Sequence, residues 1–319
     1  MVYNFHRAII TGGAGFIGSH IVEELVKMGI EVISLDDYFA GKEENLAHLK
    51  GYSNLHEVKC DVTDLKALEQ HFAGVDVVFH EAASKKTICL NDPRRDLEIN
   101  AKGTFNLLEL ALKYKVKKFV HASTGSVYGE AQYFPQNEDH PVIPTSYYGV
   151  SKLAGEKYVK AFEHLYGLDT TVLRYFHVYG PRQESSDVGG VVSIFTRLML
   201  AGKPITIFGD GTQQRSFTYV KDVVKANLLA ASTLGTKGEV FNCASGIKIT
   251  ILELAEMIAD ILGIKQMQIN YADWMPGDIK VFDIDNSKIR NKLGIQFVTD
   301  FRKGLDLTVD WAKKYFQKG

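Results

Sequence analysis

The stretch that most constrains this chain is a glycine-spaced turn, Gly12-Gly13-Ala14-Gly15-Phe16-Ile17-Gly18, set between two different periodicities. Before it, residues 7–11 (Arg-Ala-Ile-Ile-Thr) form a short apolar run that reads as a buried strand. After it, residues 16–28 place Ile17, Ile21, Leu25 and Met28 at helical spacing, and Gly29 is a helix stop. A strand that turns sharply and opens a helix needs glycine at defined places. Gly12 permits the turn, Gly15 lets backbone approach a pyrophosphate at the helix N-terminus, and Gly18 lets helix pack on strand. The next strand, residues 31–35, leads into Asp36, an acid placed to bind ribose hydroxyls and repel a 2′-phosphate. Asp37 is the neighbouring candidate, but strand-end geometry favours Asp36. The unit therefore predicts a site for NAD.

The alternation continues. Residues 75–79, 118–121 and 172–176 read as strands, and residues 100–114 and 147–166 as amphipathic helices. Strands separated by helices imply right-handed crossovers and a doubly wound, Rossmann-like parallel α/β sheet. After Gly180-Pro181 the alternation stops, and the polar, glycine-rich residues 184–190 mark the entry to a smaller α/β lobe. Helical patterns follow at 191–201, 220–232, 251–262 and 305–316, and residues 239–243 read as a strand able to rejoin the first sheet. The expected division is residues 1–177 plus about 216–248 as the cofactor domain. About 178–215 plus 249–319 form the second lobe. A chain of 319 residues has room for both.

Charge narrows the class of partner. The 37 basic and 38 acidic residues leave a net charge of -1, without the basic excess of a nucleic-acid binder. No apolar run reaches the roughly 18 residues of a membrane span, and the N-terminal residues lack a signal-peptide pattern. The three cysteines, Cys60, Cys89 and Cys243, are widely spaced, which argues against a disulfide framework or a metal site. The expected compartment is the cytoplasm.

Two further segments carry chemistry. In Tyr148-Gly149-Val150-Ser151-Lys152, tyrosine and lysine stand at i and i+4, on one helix face. A free tyrosine, with a pKa of about 10, is a poor base near neutrality. An adjacent ammonium and a nicotinium ring favour the phenolate, and neutrality requires roughly 4 kcal/mol of such stabilisation. In Ser123-Thr124-Gly125-Ser126, hydroxyls follow a strand, where open α/β sheets bind ligands.

TGGAGFIGSH, the strand-end Asp36, CDVTD, STGSVYG, YYGVSK and LRYFHVYGP, in this order, resemble the extended short-chain dehydrogenase/reductases. The similarity covers essentially the whole chain and is strongest to the NAD-dependent nucleotide-sugar 4-epimerases. The resemblance implies that Gly12, Gly15 and Gly18, with Phe16 and Ile17, hold the NAD pyrophosphate, and that Asp36 holds the adenosine ribose. It implies that Asp61 and Val62 contact adenine, that Lys85 lies near the nicotinamide ribose and substrate, and that Asn100 supports the site. Thr124 would hydrogen-bond the sugar 4-OH, with Ser126 beside it. Tyr148 would be the base, Lys152 its partner, and Tyr175 a neighbour of the nicotinamide amide. Arg215 and His177 would meet the substrate diphosphate, and Asp278 the nucleoside ribose. The implied reaction is oxidation at C4 of a UDP-hexose-type nucleotide sugar, rotation of the 4-keto sugar, and reduction from the other face.

Departures sharpen this reading. Family 4,6-dehydratases carry an Asp-Glu pair after the hydroxyl of the third segment; here those positions are Gly125 and Ser126. Absence of that acid leaves epimerisation, with dehydration or another 4-keto-forming reaction as the alternative and a non-catalytic NAD-binding protein as a more distant one. His177 replaces the usual asparagine, Ser216 the usual aspartate, Met275 the usual arginine and Tyr147 a common proline. Phe282 falls near the position whose bulk limits the C2 substituent of the sugar. Residues 100–114 and 147–166 resemble the helix pair of the family's four-helix homodimer interface. His80, His121, Cys60 and Cys243 read as structural.

Overall fold

The computed structural model describes residues 4–84, 91–186, 189–274 and 281–316. Its centre is a seven-stranded, all-parallel sheet built from β1 (Arg7–Thr11), β2 (Glu31–Asp36), β3 (Leu55–Lys59), β4 (Val77–His80), β5 (Lys118–Thr124), β6 (Thr170–Tyr175) and β10 (Glu239–Cys243). Across the sheet the order is β10-β6-β5-β4-β1-β2-β3. The chain moves outward from β1 through β2 to β3, then returns to the other side of β1 for β4. That reversal opens a crevice beyond the carboxyl ends of β1 and β4, where open α/β sheets place ligands.

Both faces of the sheet are covered, so its strands are largely buried and apolar, the half-exposed edge strand β3 apart. Successive side chains point to opposite faces. Ala8, Ile10, Val32, Val77, Phe79 and Leu173 pack with Ile21, Leu25, Val224 and Leu228, from α1 (Phe16–Lys27) and α7 (Val220–Ser232). Their neighbours Ile9, Ile33, Val78, Phe119 and Val172 face Leu107, Leu108 and Ala111 of α4 (Thr104–Lys113) and Val159 and Phe162 of α5 (Tyr147–Tyr166). Helix α5 starts where Ser146 Oγ accepts the Gly149 N–H at 3.1 Å. It stops at Gly167, whose φ of +71° suits a left-handed C-terminal residue.

The smaller α/β lobe has its own core, including Phe195, Ile205, Ile207, Phe217, Ile258 and Leu305. It comprises α6 (Val191–Leu200), β8 (Ile205–Phe208), α8 (Ile251–Leu262), β12 (Ile269–Ala272) and α10 (Phe301–Phe316). A three-stranded sheet of β7 (Val178–Tyr179), β9 (Gln214–Tyr219) and β11 (Ile247–Thr250) packs against this core, between the lobe and the central sheet's unit. A short helix, α9 (Ser287–Leu293), lies against β10.

Several boundaries differ from the sequence expectation. The strand expected at 118–121 runs to Thr124, so Ser123 and Thr124 are strand residues. The strand expected at 172–176 is Thr170–Tyr175. The helix expected from residue 100 is in two parts: a π-helical turn, Glu98–Gly103, then α4. Close packing explains the wider turn. A Cβ on Gly103 would stand 2.7 Å from the Val62 side chain, and one on Gly155 of α5 would stand 3.0 Å from Asn100 O. Before the turn come α2 (Leu65–Glu69) and α3 (Pro93–Leu97), whose N-caps Asp64 and Asp92 accept backbone N–H bonds. No helix among the described residues is long and apolar enough to cross a membrane.

Candidate active site

The last residues of β1, β2, β4, β5, β6 and β10 are Thr11, Asp36, His80, Thr124, Tyr175 and Cys243, all at one edge of the central sheet. Beyond that edge lies a cleft of about 600 Å³. It brings together Gly12, Gly15, Phe16, Ile17, Gly18, Asp36, Asp61, Val62, Tyr148 and His177 of the residues expected from sequence.

The glycine turn is sterically obligatory. Gly12 has φ +66°, and a Cβ there would stand 2.8 Å from Ala82 N. A Cβ on Gly18 would stand 2.1 Å from Gly12 O, inside the turn itself. Gly15 is the N-cap of α1 and offers no side chain to the first-turn N–H groups. Those groups and the helix dipole open on the cleft, a cradle for a pyrophosphate.

Asp36 closes the far end. Its Oδ2 accepts the Ala14 N–H at 2.9 Å and its Oδ1 the Tyr38 N–H at 2.8 Å. Burial pushes its pKa up, and these two donors oppose that rise. Each carboxylate oxygen keeps a lone pair for a ribose diol. A Cβ on Gly41 would stand 2.6 Å from Asp36 Oδ1, so this loop too is tailored to the carboxylate. Asp61 accepts from Thr63 N at 2.8 Å and from Arg95 Nη2 at 2.7 Å. Burial alone would raise its pKa; the hydrogen bonds and the guanidinium prevail and hold it low. Arg95 also lies 3.5 Å from Asp37 and so bridges the two acids at this end of the cleft. Sequence reading missed Arg95, which no motif marks.

At the other end, the short 3-10 turn after β5 is capped by Thr124, whose Oγ1 accepts the Ser126 N–H at 3.2 Å. In the β5–β6 register Thr124 pairs with Tyr175. Tyr148, half-buried, lines the cleft from the first turn of α5. One turn on, Lys152 is 2% exposed, and its Nζ has no hydrogen-bond partner among the described residues. Burial lowers its pKa to about 8, against the opposing charges of Glu81, Glu156 and Asp96. A buried ammonium without a partner is expensive, and a ligand hydroxyl pair would satisfy it.

Asn100 does not line the cleft; it ties three segments together behind it. Its Oδ1 accepts the Ser84 N–H at 3.0 Å, and its Nδ2 donates to Asp96 Oδ1 at 2.9 Å and Ser151 Oγ at 3.0 Å. Ser151 lies between Tyr148 and Lys152, so the π-helical turn fixes the register of the helix that carries them. His80 is structural in the same sense, with Thr11 Oγ1 at 2.8 Å from Nδ1 and Thr104 Oγ1 at 2.9 Å from Nε2.

His177, with φ +35°, sits where the cleft meets the smaller lobe. Its ring centroid is 4.8 Å from that of Phe282, and the Arg215 guanidinium lies 5.5 Å from the same ring. The three residues come from separate stretches of the chain and meet around the Phe282 ring. Lys85, Met275, Asp278 and Cys89 lie outside the described residues. Glu81, directly after β4, was also missed: it lines the cleft and accepts the Tyr175 hydroxyl at 2.8 Å. Its one sequence signal is a charge adjoining the buried run Val77-Val78-Phe79.

Comparison with known proteins agrees with this geometry. Residues 8–244 match the model of the NAD dependent epimerase/dehydratase family. The UDP-glucose 4-epimerase of Mycolicibacterium smegmatis is 37% identical over 317 residues, covering 98% of this chain and 100% of that one. A dTDP-glucose 4,6-dehydratase of Streptomyces niveus is 32% identical over 315 residues, 96% of this chain and 93% of that one. Among solved structures, the UDP-glucose 4-epimerase of Thermotoga maritima with UDP-glucose superposes with a TM-score of 0.92 at 39% identity, covering 97% and 99% of the two chains. Fold, glycine cradle and relatives lead to one conclusion: this chain belongs to the NAD dependent epimerase/dehydratase family, and NAD is its cofactor.

Proposed function

We propose that this enzyme interconverts C4 epimers of a nucleotide-diphosphate sugar of the UDP-hexose type. The observation that carries this choice within the family is the segment after Thr124. A Cβ on Gly125 would stand 2.4 Å from the Phe176 ring, so that position has no room for an acid. Ser126 follows with a hydroxyl and no carboxyl. A 4,6-elimination needs an acid to expel the 6-OH as water; an epimerisation needs only proton transfer and hydride transfer at C4.

In this reading the turn Gly12–Gly18 and the start of α1 hold the pyrophosphate, Asp36 the adenosine ribose, and Asp61 with Val62 flank the adenine. Bound NAD supplies the hydride acceptor and donor for C4. The Tyr148 oxygen takes the 4-OH proton and later returns it. Thr124 Oγ1 hydrogen-bonds the same sugar oxygen. The Lys152 ammonium binds the cofactor ribose and favours the Tyr148 phenolate. Arg215 and His177 hold the diphosphate while the sugar turns. Residues 1–177 with about 216–248 form the cofactor unit, and about 178–215 with 249–319 the nucleotide-sugar lobe.

A proton NMR time course with UDP-glucose, UDP-galactose, UDP-glucuronate and UDP-N-acetylglucosamine, each in turn, tests the reading. The expected result is conversion of one sugar to its C4 epimer with no net consumption of NAD. Growth of a 4-keto or 6-deoxy signal would replace epimerase by dehydratase.

We further propose a cytoplasmic homodimer. Leu112, Tyr158, Leu165 and Tyr166 are 37%, 41%, 66% and 56% exposed on α4 and the second half of α5, an apolar face that a second copy would cover. Sedimentation should give a dimer, and Leu165→Glu with Tyr158→Glu should give a folded monomer. A wild-type monomer would refute the dimer.

A further inference from the structure

Glu81 has no part in the proton transfer proposed above, yet it stands in the cleft with Tyr148 and leads the three carboxylates, with Glu156 and Asp96, that act on the Lys152 charge. A hydrogen-bond chain is directed at it. Asn227 Nδ2 donates to the Tyr175 oxygen at 2.7 Å, and the Tyr175 hydroxyl donates onward to Glu81 Oε1 at 2.8 Å. The direction is fixed at its origin, because the same Nδ2 also donates to Val223 O at 3.0 Å. Turning the amide over would set two oxygens against each other. Asn227 Oδ1 is left buried without a hydrogen-bond partner, an arrangement tolerated only if the donors matter more. A donor chain that ends on a carboxyl oxygen favours its ionised form.

The geometry points to Glu81 as a positioning residue that keeps negative charge at the Tyr148 end of the cleft, so that bound oxidised nicotinamide, a cation, is favoured over the neutral reduced ring. The consequence is chemical. A reaction that borrows and returns a hydride fails if the cofactor is stranded in its reduced form. A carboxylate beside the ring biases the resting enzyme toward the oxidised form. Burial brings the Glu81 pKa up to about 7, with the Tyr175 hydrogen bond and Lys152 opposing, so the group is ionised in mildly alkaline solution. Lys152 is the cation facing it and offsets part of its field. Cys243, whose thiol burial pushes far up, stays neutral.

The proposal rests on NAD binding alone and not on the sugar reaction, so the NMR experiment can fail without touching it. The test equilibrates the full chain with defined mixtures of NAD+ and NADH in mildly alkaline buffer and reads bound NADH by its fluorescence. Glu81→Gln keeps shape and removes charge. It should move the partition toward NADH by up to about tenfold, or ~30 mV in the bound couple. Tyr175→Phe, which removes the donor and not the carboxylate, should move it the same way by less. A partition unchanged in both variants would overturn the proposal. So would equal loss of both dinucleotides in both variants, because Glu81 would then support the shape of the site and not its charge.

Discussion

Tyr148→Phe should lower turnover by about 100- to 10,000-fold while NAD remains bound. That range is about 3–5 kcal/mol of transition-state stabilisation, the usual scale for a positioned proton-transfer group. The substitution isolates chemistry from architecture. The phenylalanine ring can occupy the same place at the start of α5. The Ser146 cap, the Ser151 hydroxyl donating to Tyr148 O at 3.1 Å, and the Asn100 bond to Ser151 all involve other side chains or backbone. The measurement is kcat by product formation, paired with the NAD content of the purified variant. Unchanged turnover would sink the role given to Tyr148. Loss of NAD together with turnover would make Tyr148 a cofactor anchor.

Glu156→Ala should have the largest effect on stability, about 3–5 kcal/mol. Glu156 lies on α5 one turn beyond Lys152 and is 3% exposed. Its carboxylate receives the Arg174 guanidinium twice, Nε to Oε1 at 3.0 Å and Nη2 to Oε2 at 2.8 Å, and also the Ser123 hydroxyl. Arg174 is 5% exposed, and its guanidinium carbon lies 4.7 Å from the centroid of the Tyr128 ring. Removing the carboxylate leaves that cation buried with the ring face as its remaining neighbour here. Isothermal urea unfolding measures the loss. The residue before Thr124 is released at the same time, so activity should fall in the fraction that still folds. A stability change below about 1 kcal/mol would mean that the pair is no better than a solvated surface bridge.

How much of this was legible in the sequence depends on the range of the interaction concerned. The Gly12–Gly18 turn was legible because its demands are local. The obstructing atom for a Cβ on Gly18 is Gly12 O, six residues away, and the spacing of the glycines records that collision. Helices α7 and α8 were placed at 220–232 and 251–262 because their apolar stripes repeat at helical spacing. The strands Leu55–Lys59 and Ile205–Phe208 were not read. The first is a half-exposed edge strand with no apolar run, and the second is only four residues long. The split of the expected helix at residue 100 was hidden for another reason. The π-helical turn answers to Val62 and Gly155, which are distant in sequence.

The candidate site divides in the same way. Legible in the sequence alone were the cofactor class, the i, i+4 spacing of Tyr148 and Lys152 and the absence of an acid after Thr124, since each is read from a short run. Tertiary structure decided that Asn100 works behind the cleft, that Arg95 bridges Asp37 and Asp61, and that Phe176 fills the space beside Gly125. It also decided that Glu81 receives a proton donor chain from Tyr175 and Asn227. These pairings join residues between 34 and 94 positions apart. A hydrogen bond or a filled cavity depends on where separate elements meet, and that meeting is set by how the sheet is covered on both faces.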